Sequence, residues 1–209
     1  RTVLFTLPNE DMRKRLYQTR VEQLVKNTPA FNPMGQKPAR SIEITQILDS
    51  YMLMLPVTEA AATSQPADVV FNDEVDLSDQ PLLALFNSRM QGSDWRMSQR
   101  FSTPTYDGFG ISADFDLSDQ HHYMYRCPRC NHHQIPEFNR KFVTVPKLPD
   151  NLSEDYSQFD LEWIDDYKLD INTAYLHCEK CREPMNLKDS SLREWVAKYP
   201  NRTHHRGYR

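Results

Sequence analysis

Val69-Val70-Phe71-Asn72-Asp73-Glu74-Val75-Asp76 is the stretch whose reading decides the fold of this chain. Val69, Val70 and Phe71 form an apolar run of the kind found in a strand covered on both faces, as in a parallel sheet. The run passes directly into Asp73, Glu74 and Asp76. Open α/β sheets place their ligands at the carboxyl ends of such strands. Carboxylates there can hold a metal ion and take a proton from water. The same residues also fit a strand that ends in a solvated acidic turn, and eight residues leave both readings open.

The acid-tipped strand has the layout of the Walker B strand of nucleotide hydrolases. There one aspartate supports Mg²⁺ and a neighbouring glutamate acts as general base on the attacking water. Asp73 and Glu74 fit those two roles. The flanking sequence supplies a matching sheet. Thr2 to Leu7 reads as a strand, and Pro8 to Asp11 as a break followed by a helix start. Met12, Leu16, Tyr17, Val21, Leu24 and Val25 recur at helical spacing, with Arg13, Lys14, Arg20 and Glu22 expected on a solvated face. Asn32 to Arg40 reads as an exposed loop, Ser41 to Leu48 and Tyr51 to Val57 as strands, and Thr58 to Ser64 as a short helix. Met52 and Met54, alternating with Leu53 and Leu55, read as core filler. After the acidic cluster, Ser78 or Asp79 can cap a helix carrying Pro81, Leu82, Leu83, Leu85, Phe86 and Met90. Trp95 to Phe101 then reads as a strand that delivers Ser102, Thr103, Pro104 and Thr105 at its tip. Alternation of strands and helices predicts an α/β fold, a parallel sheet with helices on both faces.

With 209 residues the chain can bury a sizeable core, as one domain or a domain with an appendage. The net charge of −4 excludes a global basic field, so any nucleic-acid contact must come from local patches. No apolar run approaches the roughly 20 residues that span a bilayer. No signal peptide opens the chain, and the expectation is a soluble intracellular protein without a membrane partner.

The four cysteines form two Cys-x-x-Cys pairs, Cys127 with Cys130 and Cys178 with Cys181. This arrangement suits a tetrahedral Cys₄ site for one structural Zn²⁺ held between two knuckles on β-hairpins. The pairs are 47 residues apart, longer than the roughly 15 to 20 of a compact ribbon, so an insertion loops out between them. A closed four-thiolate shell assigns the metal to folding, with another metal, redox use or disulfides as the other readings. His132, His133 and His177 are expected at the surface. The insertion is acidic (Asp150, Glu154, Asp155, Asp160, Glu162, Asp165, Asp166 and Asp170). Its Tyr156, Phe159, Leu161, Trp163, Ile164 and Tyr167 are expected to pack in part, against the zinc module. Ser190 or Ser191 is read as starting a short helix with Leu192, Trp195 and Val196. After Pro200 the chain turns basic.

Taken together, these segments resemble the large subunit of tailed-bacteriophage terminases of the lambda-like type. The resemblance covers about residues 1 to 135. It rests on Ala67-Asp68 through Asp76, Arg89 in the next helix, Arg100-Phe-Ser-Thr-Pro-Thr105, Gly110-Ile111, and Ser118-Asp119 through Cys127-Pro-Arg-Cys130. Val3 to Leu7 followed by Pro8 resembles the family's strand after the phosphate-binding loop. The resemblance implies a partial P-loop NTPase core of the ASCE type, bound to ATP with Mg²⁺. It implies Asp73 for magnesium, Glu74 for water activation, and Ser102 with Thr103 as the ATPase coupling motif. It further implies translocation of double-stranded DNA into a procapsid, a portal protein and a small terminase subunit as partners, a homo-oligomeric ring, and the host cell cytoplasm. No Gly-x-x-x-x-Gly-Lys-Ser/Thr loop occurs in the sequence, and the nuclease carboxylates of the family are not found, so the chain reads as the middle of the ATPase region. The expected organisation is a partial ATPase core over residues 1–120, a Cys₄ insertion over 121–190, and a helix and basic segment over 191–209. A superfamily 2 helicase fragment and a non-catalytic zinc-binding nucleic-acid module are the alternatives.

Overall fold

The computed structural model describes residues 1–31, 44–149, 151, 155–156 and 160–209. The loop expected over Asn32 to Arg40, the first residues of the strand expected from Ser41, and Asp150, Glu154 and Phe159 lie outside them. The chain divides into two compact units, Arg1–Asp116 and Leu117–Arg209.

The first unit is built on a five-stranded sheet: β1 (Thr2–Leu7), β2 (Ile44–Ile47), β3 (Ser50–Pro56), β4 (Val69–Asn72) and β5 (Met97–Arg100), in the order β2-β3-β1-β4-β5. β1 runs parallel to both β3 and β4, and β4 parallel to β5. β2 pairs antiparallel with β3 through the two-residue turn Leu48-Asp49, so the sheet is parallel-rich and not wholly parallel. Strand alternation sorts the apolar residues onto two faces. Leu4 and Val70, with Leu53 and Leu55, pack on one face with Ala62 of α3 (Glu59–Ser64) and with Leu83 and Phe86 of α4 (Gln80–Ser88). Leu7, Met54, Phe5 and Met52 pack on the other with Met12, Leu16 and Tyr17. Met54 is buried in the core as expected, Met52 is only partly buried against it, and helices cover both faces.

The first helical stretch is continuous. α1 (Glu10–Leu16) passes through a π turn (Tyr17–Val21) into α2 (Glu22–Asn27). Asn9 caps it, its side chain accepting from the Met12 N–H at 2.9 Å. Arg13 departs from the solvated face expected of it. It is buried, donates to the Met54 carbonyl at 3.3 Å and pairs with Glu10 at 2.5 Å. An arginine can occupy such a place because these partners offset the cost of removing its charge from water. Thr58 caps α3, and Asp79, not Ser78, caps α4 by accepting from the Leu82 N–H at 3.1 Å. α5 (Gly110–Leu117) follows the Ser-Thr-Pro segment.

The second unit carries an antiparallel sheet of β6 (His121–Arg126), β7 (His133–Gln134) and β10 (Arg193–Ala197), in the order β10-β6-β7, and a small pair, β8 (Val143–Thr144) with β9 (Tyr175–Leu176). The helix expected from Ser190 or Ser191 is not formed. Ser190–Leu192 is a single 3₁₀ turn, and Trp195 and Val196 lie in β10 opposite Tyr123 and His122. Aromatic and β-branched residues favour a strand once a partner is present, and pairing with β6 overrides the four-residue spacing of Leu192 and Val196. The insertion has a small core of Val145, Leu148, Tyr156 and Leu169 against Val143, Trp163 and Ala174, with α6 (Glu162–Asp166) over it. Asp155, Asp160, Glu162, Asp165, Asp166 and Asp170 are exposed.

Candidate functional site

Leu7, Asn72 and Arg100 end three adjacent parallel strands at one edge of the sheet. Asp73 leaves β4 at this carboxyl edge, its N–H still bonded to the Thr6 carbonyl at 3.0 Å. Its Oδ1 accepts from the Glu74 N–H at 3.1 Å. Glu74 has left-handed backbone (φ 51°), a conformation that costs a side-chain-bearing residue and that concentrates at functional sites. Asp73 and Glu74 are both half-buried, and among the described residues the Glu74 carboxylate and Asp73 Oδ2 have no hydrogen-bond partner. Behind them Asn72 is fully buried. Its Oδ1 accepts from the Thr6 hydroxyl at 2.7 Å, while its Nδ2 has no partner among the described residues.

Ser102 is joined to this tip, but through Asp76. The Asp76 N–H donates to Ser102 Oγ at 3.1 Å, and the Ser102 hydroxyl donates to the Thr103 carbonyl at 3.2 Å. No hydrogen bond links Ser102 or Thr103 to the Asp73 or Glu74 carboxylates among the described residues, and Thr103 is exposed. The main chains meet as well, with the Val75 N–H on the Phe101 carbonyl at 3.1 Å.

Asp76 is the centre of this arrangement. It is 8% exposed. Its Oδ2 accepts from the Thr105 N–H at 2.8 Å and the Thr105 hydroxyl at 3.0 Å, and its Oδ1 from the Ile111 N–H at 2.8 Å. Burial alone would raise its pKa, but the donors from Ile111, Thr105 and Ser102 outweigh it and hold the carboxyl below its ordinary value. Gly110 makes the approach possible. A Cβ there would lie 2.2 Å from Asp76 Oδ1, and its φ of 52° also favours glycine. A second tie runs through Arg100, which pairs with Asp114 of α5 at 2.7 Å and donates to Gln80 Oε1 at 2.9 Å. Gln80 in turn donates to the Val75 carbonyl at 2.7 Å. Of these groups, Asp76, Thr105 and Gly110 lie inside the sequence segments already singled out, whereas Gln80 and Asp114 carry no local signal. What holds the segments together is visible only in three dimensions.

The four cysteines come together in the second unit. Their sulfurs all lie within 4.8 Å of one another. The Cys127–Cys181 and Cys130–Cys178 separations are 3.6 and 3.7 Å. A tetrahedral site with Zn–S bonds of about 2.3 Å has edges of about 3.8 Å, so the donor set fits zinc. The two knuckles repeat one turn. The Asn131 N–H bonds to the Cys127 carbonyl at 3.0 Å and the Arg182 N–H to the Cys178 carbonyl at 2.9 Å, with left-handed φ at both (56° and 59°). Without a cation the four thiols compete. Burial opposes ionisation of Cys127, yet the N–H groups of Cys130 and Arg129 bring it down to about 7. At Cys181 the Glu183 N–H favours the thiolate, but burial and the other sulfurs push the group up to about 12. A divalent cation held by Cys127, Cys130, Cys178 and Cys181 would remove that competition by favouring all four thiolates. Glu179 ties the knuckles to their surroundings, bonded to His132 at 2.7 Å and to Lys141 at 2.7 Å. His177 differs from the surface position expected for it. It is 1% exposed, with Nε2 against the Arg182 guanidinium at 3.0 Å.

The first unit is thus a mixed α/β core, a parallel-rich sheet flanked by helices with paired carboxylates at the carboxyl edge of an inner strand. Residues 1–195 match the family described as phage terminase large subunit gpA, ATPase domain, and the chain belongs to that family. A solved structure, the large terminase from a thermophilic bacteriophage, is similar to it at 12% identity and a TM-score of 0.36, over 49% of this chain and 26% of that one. The chain thus spans about a quarter of that protein, a likeness too slight to carry detail. No curated protein matches the sequence. Among the described residues no helix is long and apolar enough to cross a membrane.

Proposed function

We propose that this chain is the ATPase motor region of a DNA-packaging terminase large subunit, coupling ATP hydrolysis to translocation of double-stranded DNA into a procapsid. Its partners in this reading are a portal protein and a small terminase subunit, with the motor working as a homo-oligomeric ring in the host cell cytoplasm. Membership of the terminase ATPase family supports the reading. The observation that carries it is the joining of the acid tip of β4 to the Ser102 segment through Asp76.

Asp73 is the residue to hold Mg²⁺. Its Oδ2, without a hydrogen-bond partner among the described residues, suits a hard cation. When bound, the ion neutralises charge on the transferred phosphoryl group. Glu74 is the general base. Its carboxylate has no competing donor among the described residues, so it is available to orient a water and accept its proton. Ser102 and Thr103 couple: a shift at the acid tip moves the Asp76 backbone, and with it the Ser102 hydroxyl and the Thr105 loop. The four cysteines hold one structural Zn²⁺.

The test is Glu74→Gln in a terminase large subunit that carries these residues together with its phosphate-binding loop. ATP binding should persist while hydrolysis falls about 10²- to 10⁴-fold, the usual worth of a general base. Ser102→Ala should leave more hydrolysis than packaging. Turnover retained in Glu74→Gln overturns the assignment.

A further inference from the structure

One face of the β6/β10 sheet has a composition that neither the zinc site nor the acid tip explains. On β6 the alternating residues His121 and Tyr123 share a face with Trp195 of β10, which lies directly opposite Tyr123. The Tyr123 and Trp195 rings are 5.0 Å apart. Tyr208 joins them, edge-on to Trp195 at 5.2 Å and stacked on His121 at 4.9 Å. The tail is fastened there by main-chain bonds, His121 N–H to the Gly207 carbonyl at 2.7 Å and Arg209 N–H to the His121 carbonyl at 3.1 Å. His121 is oriented by Asp119 at 2.8 Å, which also accepts from the Gly207 N–H at 3.1 Å. The rings are thus held in place, yet Tyr123, Trp195 and Tyr208 remain 41%, 46% and 54% exposed. A contiguous ring cluster left open to water marks a binding surface more often than a core.

Charge decides the occupant. From Trp195 to Arg209 the chain has Lys198, Arg202, Arg206 and Arg209 and no acidic residue, although the whole chain carries −4. Lys198, Arg206 and Arg209 are exposed. The Lys198 ammonium lies 5.2 Å and the Arg202 guanidinium 4.0 Å from the Tyr199 ring centroid. Fixed aromatic rings on a sheet, bordered by cations of one sign, are the two components of single-strand nucleic-acid binding, stacking for bases and charge for phosphates. In a duplex the bases are stacked on each other and cannot use the rings.

We infer that the Tyr123–Trp195–Tyr208 face, with its flanking basic segment, binds nucleic acid through unpaired bases. The inference does not rest on the ATPase reading, since neither ATP nor its hydrolysis enters the test. That test is fluorescence anisotropy of a labelled oligothymidylate about a dozen nucleotides long, titrated with the zinc-loaded 209-residue chain. The single strand should bind more tightly than a duplex of the same length. Trp195→Ala and Tyr208→Ala should each weaken binding about five- to hundredfold, and Trp195→Phe should restore most of it. Replacing Lys198, Arg206 and Arg209 together by glutamine should flatten the dependence of log affinity on log salt by about 2. Circular dichroism and zinc content establish that each variant is folded, and Tyr208→Ala, a change in the exposed tail, serves if Trp195→Ala is not. Three results overturn the inference: no binding at low salt, duplex and single strand bound equally, or alanine variants that bind as well as the parent.

Discussion

Asp76 rather than Asp73 is the carboxylate that the structure surrounds. Three donors converge on a group that is almost wholly buried, so an amide in its place turns an N–H₂ toward N–H groups. Asp76→Asn should therefore cost about 1–3 kcal/mol, read as a lower urea midpoint at unchanged slope. The pH dependence has a definite sign. A carboxyl whose folded pKa is depressed contributes stability above its unfolded value of about 3.9 and loses it as pH falls through the folded value. The parent should thus lose stability more steeply than Asp76→Asn below about pH 4. Gly110→Ala tests the same contact from the other side. The left-handed backbone alone costs about 1–2 kcal/mol, and a Cβ pressed on the carboxylate adds to it, so the loss should shrink in the Asp76→Ala background. The placing of Asp73 and Glu74 at a strand tip was legible from residue types alone. The role of Asp76 was not, because its partners lie 26 to 35 residues further along the chain.

At the scale of elements, several strands and helices of the first unit carry their own signal: the apolar run of β3, Asn9, Thr58 and Asp79 at helix starts, Pro81 in the first turn of α4; α5 carried none that was read. Antiparallel β2 and strand β10 were less legible, because both directions are set by the neighbour each strand finds. The two knuckles were legible for the opposite reason. Cys-x-x-Cys fixes a local turn whatever surrounds it, and the repeated left-handed residue after each pair closes it. Zinc in this reading is a folding ligand. Protein purified without chelator should carry about one zinc per chain, and Cys178→Ser should weaken its retention and lower the melting temperature. Much less than one zinc in the parent removes the assignment.

At the scale of the whole molecule, the two units have separate cores: Leu4, Val70, Leu83 and Phe86 in the first, and the cysteine cluster with the Tyr156 cluster in the second. Stability need not be uniform across such a chain. Chelation should shift the unfolding of residues 117–209 to lower temperature and leave residues 1–116 unchanged, as followed by hydrogen exchange resolved along the sequence. A single transition that moves as one with chelator shows the units to be coupled.

What the sequence determined by itself was whatever a few neighbouring residues can encode: an apolar run broken by acids, the caps, the Ser-Thr-Pro tip and the paired cysteines, and through these the class of fold and the terminase resemblance. The tertiary structure decided how those pieces are joined. It placed Asp76 between the strand tips, buried Arg13 and His177 with partners, turned the expected last helix into β10, and gathered Tyr123, Trp195 and Tyr208 onto one face. The physical reason is range. Turn and cap chemistry acts within four or five residues, whereas burial and hydrogen-bond satisfaction depend on whichever distant residues the fold brings alongside.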